Sequence, residues 1–181
     1  MKKFKIICQS GFIALGFCVA ASAAKSAASK AGPSPVAAKI AATLGGGAKL
    51  SASDRKFMLA AAKGGQMEVA WGKLAAQNGH DANVRKFGNR MVTDHSKANN
   101  ELTALAKEEG VSLPHAKAAG KWKSDKGYIN MMVKDHEKDL AEFQNEASNG
   151  TDPGLKKFAD KYSNVVQVHL DMAKGIQSKL K

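Results

Sequence analysis

The sequence predicts an all-α protein that folds as an antiparallel four-helix bundle. Beyond residue 51, apolar residues recur every three or four positions, and cap and stop signals divide this region into four segments of similar length. No alternation typical of β-strands competes with this pattern. The 181 residues are 44% hydrophobic and 24% charged, a composition that suits one globular domain, which we place at residues 53–181.

The first 23 residues are predicted to be a cleaved signal peptide. Three lysines among the first five residues precede an apolar run from Ile6 to Ala20, which is short for a membrane span, and Ala21-Ser22-Ala23 forms an A-x-A cleavage site. We therefore expect a periplasmic or secreted protein whose mature chain has no transmembrane span. Residues 24–52, rich in Ala, Ser, Gly and Lys, are predicted to form a flexible linker.

The first helix is expected to begin at Ser53 or Asp54, whose side chains can accept hydrogen bonds from the first backbone N–H groups. It is expected to end near Asn78 and Gly79. Three glycines inside this helix lower its intrinsic propensity, and close approach of a neighbouring helix would explain them: Gly64, Gly65 and Gly72.

The second helix is expected to follow at once, with Asp81 as its N-cap. It should run to Glu109, where Gly110 provides the left-handed residue that commonly ends a helix. A longer connection containing Pro114 and Gly120 then leads to the third helix. This connection is long enough to cross the bundle.

The third helix is expected to be capped by Ser124 or Asp125 and to end at Asn149 and Gly150. Asp152 and Pro153 open the fourth, because proline at the first helical position loses no helical hydrogen bond. The links between helices one and two and between helices three and four are short. Each of these pairs is therefore expected to be antiparallel.

Each predicted helix carries one ionisable residue on its apolar face, close to the middle of the helix. His95 lies four residues after Met91, His136 four after Met132, and His169 four after Val165. Midpoints of antiparallel helices of similar length meet at one level. We therefore expect four side chains to converge in one layer of the core: Glu68, His95, His136 and His169.

A buried layer of one carboxylate and three imidazoles needs partners, and the sequence leaves two solutions open. One is a shared transition metal ion, for which zinc, copper, iron, nickel and manganese all suit these ligands. The other is a metal-free layer of mutual hydrogen bonds. Asp94 and Asp135 each precede one of the histidines and are candidates for orienting an imidazole N–H or for serving as alternate ligands.

Three methionines lie within one helical turn of the histidines, and their thioethers are candidate supporting or alternate ligands: Met91, Met132 and Met172. A thioether beside imidazole would favour copper. The simpler interpretation, which we prefer, is that these flexible side chains fill gaps in the core.

These residues resemble the exported ferritin-like bacterial proteins grouped as domain of unknown function 4142. The resemblance covers about Leu50 to Leu180 and rests on the following residues: Asp54, Phe57, Glu68, Asp94-His95, Asp135-His136 and His169. It implies a ferritin-like bundle in the periplasm or outer envelope, and it carries no established activity. Ferritin-type di-iron sites use Glu-x-x-His pairs, which are absent from this sequence, so di-iron chemistry is not expected.

Charge and motifs narrow the function classes further. The formal charge of +12 falls to +9 once the three signal-peptide lysines are removed, but the basic residues are dispersed, which argues against a nucleic-acid partner. Signatures of common hydrolases and nucleotide-binding enzymes are absent, so an enzymatic role stays uncertain and disfavoured. The leading hypothesis is a periplasmic bundle that buffers or stores a transition metal. The alternative is a structural protein of the envelope whose basic surface contacts anionic components.

Overall fold

The computed structural model describes residues 50–180, which contain four α-helices and no strand. The helices are α1, Ala52–Asn78, α2, Ala82–Glu108, α3, Asp125–Asn149, and α4, Pro153–Gln177. The prediction of an all-α four-helix bundle is confirmed. The predicted signal peptide and residues 24–49 of the predicted linker lie outside the described residues. None of the described helices combines the length and apolar character that crossing a membrane requires.

Three of the four predicted helix starts are observed. The Asp81 side chain accepts hydrogen bonds from Asn83 N and Val84 N, Ser124 caps α3, and Asp152 caps α4 with Pro153 next to it. Gly110 adopts a φ of +63°, as expected for the residue that follows the end of α2.

The start of α1 differs from the prediction. Ser51, not Ser53 or Asp54, is the N-cap, because its hydroxyl accepts the hydrogen bond from Asp54 N at 3.1 Å. Asp54 lies one turn into the helix, and its carboxylate is fully buried. This carboxylate accepts hydrogen bonds from the turn between α3 and α4.

The helices form two antiparallel hairpins, α1–α2 and α3–α4, which pack with α1 beside α3 and α2 beside α4. Residues 109–124 connect the hairpins along the length of the bundle, so every pair of neighbouring helices is antiparallel. This single long crossover is the ferritin-like arrangement. Gln66 of α1 holds the crossover in place, since its side-chain amide donates to Pro114 O at 2.9 Å and accepts from Ala116 N at 2.8 Å.

A buried aspartate at the start of each hairpin binds the turn of the other hairpin. Asp54 accepts hydrogen bonds from Thr151 N, Thr151 Oγ1 and Asp152 N, at 2.6–3.1 Å. Asp125 accepts from His80 N at 3.0 Å and from Asp81 N at 2.6 Å. The interval from Asp54 to Asp125 equals the interval from the cap Asp81 to the cap Asp152. When Asp54 is aligned with Asp125, the buried aspartates and the second helix caps of the two hairpins therefore fall at equivalent positions.

The apolar core consists of two clusters, one towards each end of the bundle. The first is built around Phe57, Leu102 and Phe158, and the second around Phe87, Ile129 and Leu170. Along α1, α2 and α4, the predicted polar residue lies between the part that contributes to one cluster and the part that contributes to the other; on α3, Leu140, one turn beyond His136, still packs against the second cluster. Apolar packing on both sides therefore encloses the polar layer.

Two of the three α1 glycines allow the helix to approach α2 closely. A Cβ on Gly72 would lie 2.8 Å from the backbone oxygen of Gly88, whereas one on Gly65 would meet the end of the Asn99 side chain. Gly64 differs from both, because a Cβ there would meet nothing within 4 Å. Close backbone packing therefore explains Gly72, and at Gly65 the neighbour is a side chain that can move.

Candidate metal centre

The bundle brings three histidines together in its polar layer. His95 on α2, His136 on α3 and His169 on α4 have ring centroids 5.1–5.7 Å apart. His136 and His169 are completely buried, and His95 is 8% exposed. The inward direction and common level that the sequence predicts for these residues are what the coordinates show.

One nitrogen of each imidazole lies within 3.0 Å of an oxygen atom, and for His136 and His169 this contact is a hydrogen bond. His136 Nδ1 donates to Met132 O at 3.0 Å, and His169 Nε2 donates to Asp94 Oδ2 at 2.9 Å. His95 Nδ1 lies 3.0 Å from Glu68 Oε2. These acceptors favour a proton on the nitrogen that faces them, which leaves a lone pair on the other nitrogen of each ring.

The second nitrogen of each ring is buried without a hydrogen-bond partner among the described residues: His95 Nε2, His136 Nε2 and His169 Nδ1. The three rings can each offer one nitrogen such that all three nitrogens lie within 4.8 Å of one another. An ion with metal–nitrogen bonds of about 2.1 Å holds its ligands about 3.4 Å apart. The histidines therefore fit a first-row metal ion if each ring moves inward by less than about 1 Å.

The histidines are uncharged at neutral pH. Burial lowers the pKa of His95, His136 and His169 to about 4 in each case, because an imidazolium is poorly solvated in the core. Only a neutral imidazole has a lone pair to offer a metal ion. A metal ion at this position would therefore meet little competition from protons at pH 7.

Glu68 of α1 lies beside the histidines and contacts two of them. Its Oε2 faces His95, and its Oε1 lies 3.5 Å from His136 Nδ1 without a hydrogen-bond partner. Glu68 therefore faces the protonated nitrogens, which suits a residue that orients His95 better than the direct ligand role predicted from the sequence. Burial raises the pKa of Glu68, despite the opposing effect of His136.

Asp139 is the residue of this region that the sequence reasoning missed. It lies one turn after His136 on α3 and, together with Glu68, lines two adjoining cavities. Burial and the negative charge of Glu68 raise the pKa of Asp139 to about 7. Two signals pointed to it: it follows His136 by three residues, and it corresponds to Glu68 when the two hairpins are aligned.

The two aspartates that precede histidines have different surroundings. Asp94 accepts the hydrogen bond of His169 on the neighbouring helix and pairs with Arg90, and these hydrogen bonds lower its pKa although burial opposes them. Asp135 makes no hydrogen bond to any of the three histidines in the described part of the chain. It lines a groove between α1 and α3 instead.

The three methionines also differ in position. Met91 and Met132 are buried in the second apolar cluster, and the backbone carbonyl of Met132 holds His136. Met172 is half-buried at the edge of that cluster, where it lines a surface groove with Lys86 and Lys179. These surroundings agree with methionines that fill core gaps.

Comparison with known proteins places this bundle in a family. A family model described as "Domain of unknown function (DUF4142)" matches residues 39–176. The chain belongs to the DUF4142 family. No curated protein matches it.

The fold of this DUF4142 chain has a counterpart among solved structures. A crystal structure of a DUF305 fragment from Deinococcus radiodurans is similar, with a TM-score of 0.62 at 9% sequence identity. The match covers 74% of this DUF4142 chain and 100% of the fragment. At this identity the likeness supports the helical bundle alone.

Proposed function

We propose that this protein binds one first-row transition metal ion through His95, His136 and His169, and that it buffers or stores that ion. The observation that carries the proposal is the set of three buried ring nitrogens without partners, one from each of three helices. Each neighbouring oxygen holds a proton on the other side of the ring, so all three lone pairs are available to one ion.

The alternative of a metal-free hydrogen-bonded layer accounts less well for these nitrogens. A layer of that kind is stable when its polar atoms satisfy one another. Here three lone pairs remain unsatisfied in the core, and each unsatisfied buried group costs about 1–3 kcal/mol. A bound ion would satisfy all three at once.

The donor set also bears on the identity of the ion and on the role of the carboxylates. Three neutral imidazoles suit zinc, copper, nickel, iron or cobalt better than calcium or magnesium, which prefer oxygen. Glu68 and Asp94 would hold His95 and His169 in the binding tautomer and provide negative charge near the cation. Storage or buffering requires binding and release, without further chemistry.

We also propose that the protein works outside the cytoplasm, after removal of residues 1–23. The three early lysines, the apolar run and the A-x-A site support this location. Intact mass measurement of the protein recovered from the periplasm or medium of the expressing cell tests it. A mature N-terminus near Ala24 is expected, and retention of residues 1–23 would contradict the proposal.

The metal proposal is tested by loading the metal-free mature protein with Zn²⁺, Cu²⁺ or Ni²⁺ and measuring stoichiometry and thermal stability. We expect one ion per chain and a rise in Tm of roughly 10 °C at about 100 times the Kd, because binding stabilises only the folded state. His95→Ala and His169→Ala should abolish both effects.

Two other histidines of the chain provide matched controls. His80 and His115 are exposed and lie outside the polar layer, so His80→Ala and His115→Ala should bind like the wild type. Circular dichroism confirms that each variant is folded. If none of the ions binds stoichiometrically, or if the core and surface variants bind equally well, the proposal is wrong.

A further inference from the structure

A groove between α1 and α3 leads from the surface towards the candidate metal centre. Its volume is about 270 Å³, and the carboxylates of Asp135 and Asp139 line it, together with Glu68 at its inner end. Lys138 also lines the groove, and its ammonium group lies 3.0 Å from Glu142 Oε1 and 3.9 Å from Asp139 Oδ1. The three carboxyl groups outnumber this one ammonium group, so the groove favours a cation when they are ionised.

A second, smaller cavity of about 30 Å³ continues from this groove to the histidines. Glu68, Asp139 and Gly64 line both spaces, and His95 lines only the inner one. A cavity of this volume holds about two water molecules, so a partly hydrated ion fits. Asp139 and Glu68 line both spaces, so their carboxyl groups lie between the groove and His95.

Two features distinguish this passage, a buried carboxylate and an open glycine. Glu68 lines both spaces and is 6% exposed, and its buried Oε1 has no hydrogen-bond partner among the described residues. Gly64 is the α1 glycine that close packing does not explain, because a Cβ there would meet nothing within 4 Å. Any side chain larger than that of alanine at position 64 would extend into the passage.

We propose that the passage beside Gly64 is the route by which a hydrated divalent cation enters and leaves the three-histidine site, with Asp139 and Glu68 as successive carboxylate contacts. This inference rests on the proposed metal-binding function and adds a path to it. The two apolar clusters close the site towards both ends of the bundle, and the close contact of α1 with α2 at Gly72 and Gly88 closes the face between these helices.

Stopped-flow binding of Co²⁺ to the mature protein, followed by the visible absorption of the bound ion, tests the route. Gly64→Leu should slow association by about tenfold or more, because its side chain raises the barrier in the passage. Release into excess EDTA, at a rate independent of EDTA concentration, should slow by the same factor, leaving the Kd unchanged. Gly64→Ala should behave like the wild type.

Gly175→Leu is the matched control, because Gly175 is an exposed helical glycine on α4 that likewise has nothing within 4 Å of a Cβ. At pH 8 and low ionic strength, Asp139→Asn should slow association by about tenfold through lost attraction, whereas Asp171→Asn, an exposed site on α4, should not. Equal rates for Gly64→Leu and Gly175→Leu in folded proteins would overturn the route while leaving metal binding intact. A wild-type protein that binds no Co²⁺ would overturn both proposals.

Discussion

Asp94 links two helices at the candidate metal centre. From α2, its Oδ2 accepts the hydrogen bond of His169 Nε2 on α4, and Arg90 holds the carboxylate from the preceding turn. This contact fixes both the tautomer and the orientation of the His169 ring. At the proposed metal site, Asp94 would therefore act through His169.

We expect Asp94→Ala to weaken metal affinity by about 10- to 100-fold, the usual effect of removing a residue that orients a ligand. The reason is that His169 would lose the acceptor that keeps its Nδ1 lone pair directed inward. Competition against a chelator of known affinity measures the change. Asp171→Ala, at an exposed position on the same helix as His169, should leave the affinity unchanged. Equal affinities for the two variants would show that Asp94 has no such role.

Glu146 is a buried carboxyl group far from the histidines, next to Asp54. It is 3% exposed, and its Oε1 has no hydrogen-bond partner in the described residues. Burial, with the negative charge of Asp54, raises the pKa of Glu146 from 4.5 to about 7. Between these values the folded protein holds a proton that the unfolded chain has released, so stability falls as pH rises through this window.

Glu146→Gln should remove that pH-dependent loss, because a neutral amide has no proton to release. Between pH 5 and pH 8 the free energy of unfolding of the wild type should fall by about 1–2 kcal/mol more than that of the variant. Urea denaturation at both pH values measures this. Glu108→Gln, at an exposed position on α2, is the control and should follow the wild type. If the free energy of unfolding changes equally with pH in Glu146→Gln and in the wild type, the pKa of Glu146 is not raised by folding.

Helices α1 and α2 approach so closely that backbone touches backbone. A Cβ on Gly88 would lie 2.7 Å from Gly72 O and 2.8 Å from Ala75 Cβ. This contact closes one side of the bundle and sets the distance between Glu68 and His95, which belong to the same pair of helices. Glycine at both positions is therefore a requirement of the packing.

Gly88→Ala should destabilise the protein by about 1–3 kcal/mol, since the added methyl group has no space and the helices must separate. Gly175→Ala is the matched change at an open helical position, where alanine should stabilise the helix by up to about 1 kcal/mol. Chemical denaturation of both variants makes the comparison. A Gly88→Ala protein as stable as Gly175→Ala would mean that the helices are not in tight contact.

The helices could be predicted from the sequence because their start and stop signals are local. Asp81, Asp152 and Gly110 act within a few residues of their own positions, and each has the predicted role. Asp54 does not, because its hydrogen-bond partners are 97 and 98 residues away, and no local pattern distinguishes it from a cap. The nearby Ser51 offers the same chemistry and takes the cap position.

In the candidate site, too, the features set by local sequence could be predicted and those set by contacts between helices could not. The inward faces of His95, His136 and His169 follow from helical periodicity, and their common level follows from their mid-helix positions. The ring nitrogens that face Glu68, Asp94 and the Met132 carbonyl depend on side-chain rotation across helices, which periodicity does not determine. For this reason the ligand role that the sequence assigns to Glu68 stays a prediction, while in the structure its oxygens lie 3.0 Å from His95 Nδ1 and 3.5 Å from His136 Nδ1.

At the scale of the whole molecule, the two hairpins correspond when Asp54 is aligned with Asp125. The sequence shows a different recurrence, from Met91–His95 to Met132–His136, and leaves open whether it records a duplication. Those segments lie on α2 and α3, which are diagonal partners in the bundle. The hairpin alignment pairs Glu68 with Asp139, but it pairs the three histidines with apolar or small residues: Gly65, Val166 and Ala98. The hairpins thus share the positions of their helices and buried aspartates, whereas the three candidate metal ligands have no histidine at the corresponding positions.

Asp54 and Asp125 hold the hairpins together from opposite ends of the bundle, about 40 Å apart for a 27-residue helix. We expect Asp54→Ala and Asp125→Ala each to lower the free energy of unfolding by about 2–4 kcal/mol, because backbone N–H groups lose charged acceptors. In the double variant the two losses should add to within about 0.5 kcal/mol, since the sites share no partners. Metal affinity should stay that of the wild type, because the histidines lie between the two ends. Urea denaturation of the four proteins, with and without Zn²⁺, measures both quantities. A coupling free energy well above that margin, or a loss of metal affinity from either single change, would mean that the two ends communicate through the polar layer.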